Sequence, residues 1–166
     1  MYKFLVLNKL YMSGDQEMIT DIDAQKIPYV ILSILSPEWG VDSVKLSTEL
    51  QYCRDHKTVL FHDVTKSGEV NSLITITEPV TPINETHAKE IIDFALRWKD
   101  DVCDFIIHCE AGLSRSPGVA LALSEILNGS DSDFESVVQT LYDVNLHNST
   151  VKQKMLDTYQ IYYMKN

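Results

Sequence analysis

The chain has 166 residues, 45% of them hydrophobic and 23% charged, which suffices for one domain with a proper core and is short for two, so residues 1–166 are read as a single domain. A formal net charge of −10 opposes binding to nucleic acid or to an anionic membrane surface, while leaving room for a local pocket that holds one phosphate. No segment approaches the ~18 consecutive apolar residues of a membrane span, and three cysteines without framework spacing fit a reducing, cytoplasmic setting better than a disulfide scaffold.

In chain order, the opening MYKFLVLNKLYM is apolar but broken by Lys3 and Lys9, and it predicts a β-strand in preference to a signal peptide. YVILSIL (29–35), stopped by Ser36-Pro37-Glu38, and TVLFHDV (58–64), ending where KSGE begins, are apolar runs of strand length. Residues 64–80 form a long connection of little periodicity that ends at Pro79. Loops of that length are more often functional than idle, so this one is expected to border a site. Thr81-Pro82 predicts the N-cap and first position of a helix in which Ala88, Ile91, Ile92, Ala95, Leu96 and Trp98 recur at helical spacing, running to about Lys99. DFIIHC (104–109) reads as a third buried strand. SPGVALALSEILNG follows as a helix opening with Pro117 and closing at Asn128-Gly129. Ser132 and Glu135 form a capping box for a further helix, and residues 149–163 read as a last amphipathic one. Strands alternating with helices predict an α/β sheet flanked by helices.

The stretch IHCEAGLSRSPG (107–118) puts a cysteine at the end of a strand and an arginine at the start of a helix. The backbone N–H groups of Glu110, Ala111, Gly112, Leu113, Ser114 and Arg115 can surround a phosphate dianion, helped by the positive end of the following helix, and Gly112 relieves the tight curvature. Arg115 can add a planar two-pronged contact that lysine cannot reproduce. A thiol in such a field is lowered from about 8.5 to about 3.5–7.5, which makes Cys109 a candidate nucleophile. Ser116 can donate a hydrogen bond to the thiolate as it departs, and His108 can fix the loop through the backbone. A Cys-x5-Arg pair alone recurs by chance. The accompanying His108, Gly112 and Ser116, with a strand before and a helix after, are what favour phosphate chemistry over a structural cysteine.

HCEAGLSRS matches the signature His-Cys-x-x-Gly-x-x-Arg-Ser/Thr, and in this the chain resembles the cysteine-dependent protein tyrosine phosphatase superfamily. The wider stretch from LFHDVT through IIDFALRW is similar to small bacterial and viral tyrosine phosphatase-like proteins related to the dual-specificity phosphatases. The likeness covers about half of the chain, and the N-terminal third more faintly. Five residues lie between Cys109 and Arg115, where rhodanese-type sulfurtransferases usually carry four. The resemblance implies a central, mostly parallel sheet flanked by helices. It also implies Cys109 as nucleophile, the loop from Glu110 to Arg115 as phosphate binder, Ser116 as the residue assisting breakdown of a phosphoenzyme, and no metal or organic cofactor. It leaves two functions open: a tyrosine or dual-specificity phosphatase acting through a phosphocysteine, or a pseudophosphatase that recognises a phosphoprotein without turnover. The presence of both Cys109 and Arg115 argues for the first.

Expelling the leaving oxygen needs a proton donor, and family members carry an aspartate on a loop after the strand that precedes the helix. Asp63 matches that place. A turn or capping role stays open for it, with Glu69 and Glu78 on the same connection as the other candidate acids. His62 reads as packed at the strand end, and His147-Asn148, where related proteins often carry Pro-Asn, as a structural turn. Cys103 lies six strand residues, roughly 20 Å, from Cys109, too far for a disulfide. Trp39 and Trp98 read as packing residues. The loop lacks the lysines expected for inositol polyphosphates, so a phosphorylated protein is favoured as substrate over a small phosphoester.

Overall fold

The computed structural model describes residues 1–8, 17–44, 46, 50–129, 138–140 and 144–164. In chain order these form β1 (Lys3–Asn8), α1 (Glu17–Ala24), β2 (Tyr29–Leu35), β3 (Cys53–Leu60), β4 (Asp63–Val64) and β5 (Val70–Asn71). Then come α2 (Glu85–Trp98), β6 (Asp104–Cys109), α3 (Arg115–Asn128), β7 (Val138–Thr140) and α4 (Ser149–Tyr162). Single turns of 3₁₀ helix lie at Pro37–Trp39 and Val144–Leu146. No helix among the described residues is long and apolar enough to cross a membrane.

The main sheet runs β3-β2-β6-β1-β7 with all its pairs parallel, while β4 and β5 form a separate antiparallel pair with Asp63 opposite Asn71. From β1 the chain steps out through β2 to β3, returns to insert β6 between β1 and β2, and leaves on the other side to β7. That reversal makes β6 the switch point of the sheet, beyond whose C-terminal end an open α/β sheet leaves a crevice for ligands.

Burial on both faces explains why the central strands read as continuous apolar runs. Val30, Leu32, Ile34, Phe105 and Ile107 pack toward α2, α3 and α4. Tyr29, Ile31, Leu35 and Ile106 pack on the opposite face with Ile19 of α1. Because successive strand residues point to opposite faces, Cys109 falls on the face carrying the helix that follows it, and His108 on the other.

Sequence and structure agree on β1, β2, β6 and the last helix, and differ elsewhere for local reasons. The run 58–64 is not one strand: β3 begins at Cys53 and stops at Leu60, and Asp63–Val64 turns away into a hairpin. The N-terminal half of β3, CRDHK, lies at the edge of the main sheet, where only one neighbour covers it, so polar residues are tolerated and the apolar signal is lost. Thr81 does not cap α2, since its hydroxyl donates to the Pro79 carbonyl at 3.0 Å. Asn84 does, its Oδ1 accepting from His87 N–H at 3.0 Å while His87 Nδ1 accepts from Asn84 N–H at 3.3 Å. α3 starts at Arg115, two residues ahead of Pro117, and ends at Gly129 with φ +82, a left-handed conformation that glycine adopts without penalty. Neither α1 nor β7 was expected, and the Ser132–Glu135 capping box lies outside the described residues.

α4 packs on α3 and α2. At the α3–α4 crossing, a Cβ on Gly118 would sit 2.7 Å from the Asn148 carbonyl oxygen and 3.3 Å from Val151 Cβ. Gly118→Ala should therefore destabilise the protein by about 1–3 kcal/mol, the usual cost of overpacking. Urea unfolding of the two proteins measures it, and equal midpoints would show that the helices separate freely at this point.

Candidate active site

The loop after β6 is shaped around a sulfur atom. Cys109 is 2% exposed, and its Sγ accepts hydrogen bonds from Gly112 N–H at 3.2 Å and from Ser116 Oγ at 3.1 Å. Gly112 has φ +74, the left-handed region in which a side chain would be strained. The amides of Ala111, Leu113, Ser114 and Arg115 donate to no acceptor among the described residues. These four residues line a cleft of about 540 Å³ that also reaches Cys109, Glu110 and Asp63. Unpaired amides on a curved loop leading into a 14-residue helix make an anion-binding concavity.

Arg115, 2% exposed, is anchored from within the loop and from outside it. Its Nη1 donates to the Phe61 carbonyl at 2.7 Å and to Ser36 Oγ at 3.3 Å, and its Nη2 donates to Glu110 Oε1 at 2.7 Å. The same Oε1 accepts from Ser36 N–H at 3.1 Å and Ser36 Oγ at 2.6 Å. Burial works to raise the Glu110 carboxyl, but the Arg115 charge and hydrogen bond, with the two bonds from Ser36, outweigh it and hold the group below the usual carboxylate range. Glu110 thus contributes a side chain, to which the sequence alone assigned no role.

Asp63, 5% exposed, stands in the same cleft. Its Oδ1 accepts from Ser114 Oγ at 2.8 Å and from Asn148 Nδ2 at 2.7 Å, and Oδ2 takes no hydrogen bond among the described residues. Asn148 is more than a turn. Its Oδ1 caps α4 by accepting from Thr150 and Val151 N–H, its Nδ2 also donates to the Val64 carbonyl at 3.0 Å, and its own N–H donates to the Ser114 carbonyl at 2.9 Å. An asparagine directly before a predicted helix was the available signal for the cap. Nothing local announced the contact with Asp63, nor the role of Ser36. The 64–80 connection borders the cleft through Val70, Asn71, Ser72 and Leu73. Glu69 and Glu78, both exposed, do not line it.

Two histidine clusters support the walls. On the far face of the sheet, Ser33 Oγ is within hydrogen-bonding distance of His108 Nε2 at 2.6 Å and His56 Nε2 at 2.7 Å, joining β6, β2 and β3. His62, 1% exposed, accepts from Thr81 N–H on Nδ1 at 2.9 Å, so the other nitrogen, Nε2, carries hydrogen and donates to Glu38 Oε1 at 3.1 Å. Thr77 and Glu78 N–H groups donate to that oxygen as well, which pins the end of the 64–80 connection. Burial opposes ionisation of Glu38, but the bonds from His62 and from three backbone amides prevail and hold its carboxyl at about 2. Among the described residues no group of three or more His, Cys, Asp or Glu side chains is arranged to hold a metal.

Neither a family model nor a curated protein matches the sequence. The fold, however, is shared with solved structures. The human tyrosine phosphatase-like serine/threonine/tyrosine-interacting protein aligns with a TM-score of 0.51 and 16% identity over 95% of this chain and 92% of that one. DUSP15 aligns with a TM-score of 0.48 and 18% identity over 96% and 88% of the two chains, and the active form of Tk-PTP with 0.44 and 15% over 93% and 89%. The first of these alignments shows that the chain shares the tyrosine phosphatase-like fold, a parallel-sheet α/β architecture.

The Glu38 contacts carry a pH signature. Its folded value of about 2 lies below the unfolded value of about 4.3, so its contribution to stability is fully present above that unfolded value and is lost as pH falls toward the folded one. The stability difference between wild type and Glu38→Gln should hold steady from neutrality to about pH 4.5 and narrow below it. Denaturant unfolding across that range tests this, and a gap independent of pH would show that the carboxylate charge contributes nothing.

Proposed function

We propose that this protein is a phosphomonoester hydrolase of the tyrosine or dual-specificity phosphatase type, working through a phosphocysteine on Cys109. The observation that carries this reading is the loop itself: a sulfur bonded by Gly112 N–H and Ser116 Oγ, beside four amides with no partner among the described residues. In this reading the amides and Arg115 hold the phosphate while Cys109 Sγ attacks phosphorus. The S–P bond forms as the P–O bond to the leaving group breaks, and Asp63 gives its proton to the departing oxygen. Water then attacks phosphorus, its proton passes to the Asp63 carboxylate, and the Cys109 thiolate leaves, steadied by Ser116.

A phosphorylated protein suits the cleft best. Among the described residues Arg115 is the only Lys or Arg side chain that lines it, and Val70, Leu73, Leu113 and Leu146 supply an apolar rim. A polyphosphorylated headgroup would find no further cation among those lining residues. The second reading, recognition of a phosphoprotein without turnover, draws support from the human neighbour, which is named as an interacting, phosphatase-like protein. Turnover is favoured here because Cys109, Ser116 and Asp63 share one cleft or touch its sulfur.

Cys109→Ser should abolish hydrolysis of aryl phosphates while leaving binding of inorganic phosphate in place, read by turnover assay and calorimetry. Full activity in that variant would remove the assignment. Asp63→Asn should slow phenyl phosphate by roughly 10²–10⁴-fold and an activated aryl phosphate by much less, since only a poor leaving group needs the proton. Rates against leaving-group pKa decide the point: a uniform loss with lowered thermal stability would make Asp63 a turn residue.

A further inference from the structure

Arginine carries five N–H donors in a rigid plane. In Arg115 both Nη1 hydrogens are engaged, by the Phe61 carbonyl and Ser36 Oγ, and one Nη2 hydrogen by Glu110 Oε1. Two donors remain, Nε–H and the second Nη2–H. Glu110 Oε1 and Ser36 Oγ are themselves 2.6 Å apart, so they lie side by side along the Nη1–Nη2 edge of the guanidinium. The spare Nη2 hydrogen is therefore the one beside Nε–H, and together they form the side-on fork that matches two oxygens of a phosphate. Nε is buried and has no partner among the described residues, although a buried donor left unpaired is costly.

We propose that Glu110 and Ser36 are positioning residues for Arg115: they clamp one edge of its guanidinium so that the opposite, Nε–Nη2 edge is presented to the bound phosphate. The proposal rests on the reading of this loop as a phosphate site and adds residues that act through the arginine. Both Ser36 donors fall on Glu110 Oε1, so the carboxylate is itself fixed by the segment that leaves β2. The pair is closed off from water, with side chains 3% exposed on each partner. The carboxylate also cancels the arginine's charge at short range. What Arg115 offers the ligand is consequently the direction of two N–H bonds, more than a net positive charge. A competing role, in which Glu110 occupies the arginine and must be displaced by substrate, would require it on the ligand-facing edge.

Titration calorimetry with inorganic phosphate, which needs no turnover, separates these roles. Glu110→Ala should weaken phosphate binding about tenfold or more, as loss of an oriented charge-assisted fork implies. Glu110→Gln keeps an oxygen that can accept the same three bonds and should stay within about threefold of wild type. Both variants should melt at lower temperature, because each leaves a buried guanidinium without its counter-charge. A merely structural Glu110 would make affinity follow stability, with Glu110→Gln as weak as Glu110→Ala, and that result would overturn the proposal. Phosphate binding in Glu110→Ala equal to or tighter than wild type would also overturn it. Should Glu110→Ala fail to fold, Ser36→Ala decides: a loss of about three- to tenfold is expected, and unchanged affinity refutes the clamp. A wild type that binds phosphate yet hydrolyses no phosphomonoester would remove the enzymatic reading alone, since the order of affinities among the variants still judges the clamp.

Discussion

Asn148 is the junction at which α4, the β4–β5 hairpin and the loop after β6 meet. Its side-chain oxygen closes the first turn of α4, its amide nitrogen holds Asp63 and the Val64 carbonyl, and its backbone N–H holds the Ser114 carbonyl near the end of the loop after β6. Only a side chain with both an acceptor and two donors can do this at once. Aspartate would set a second carboxylate against Asp63, and an apolar residue would strand the cap and the carboxylate together. The nearness of Gly118 to the Asn148 carbonyl adds a steric limit, so the start of α4, the start of α3 and the β4–β5 hairpin keep one spatial relation. The cleft inherits its shape from that relation.

Charge is used sparingly around this cleft. In a chain of formal charge −10, the one cationic side chain among the described residues that line the cleft is paired with a carboxylate from its own loop. If the cleft holds a phosphate, as proposed, the attraction has to come from backbone amides and the N-terminal end of α3, which act over short distances and in fixed directions. Such a site gains little from long-range steering and depends on fit, so the hydrogen bonds that hold the loop in place matter more than the sum of charges.

Much of this was legible in the sequence because it is local. The runs YVILSIL and DFIIHC are buried on both faces, the glycine after Asn128 marks a helix end, and the spacing of Cys109, Gly112, Arg115 and Ser116 is set by the curvature of one loop. What stayed hidden involves partners distant in sequence. Ser36 meets Glu110 across 74 residues and Asn148 meets Asp63 across 85, and no short-range pattern encodes either meeting. The edge position of β3 hid its first half, since an edge strand tolerates polar residues that a central strand does not. The helix expected from Thr81 starts later, at Glu85, where Asn84 and His87 form a local capping box.

The serine between two imidazoles on the back of the sheet ties distant protonation choices together. Ser33 has a single hydroxyl hydrogen, so it can donate to His108 Nε2 or to His56 Nε2 but not to both, and at least one of the two rings must carry hydrogen on that nitrogen. The tautomers of the two histidines are therefore not independent. Burial disfavours the charged form of His56. A change in the hydrogen carried by the edge strand is thus felt, through one hydroxyl rotor, by the residue immediately preceding Cys109.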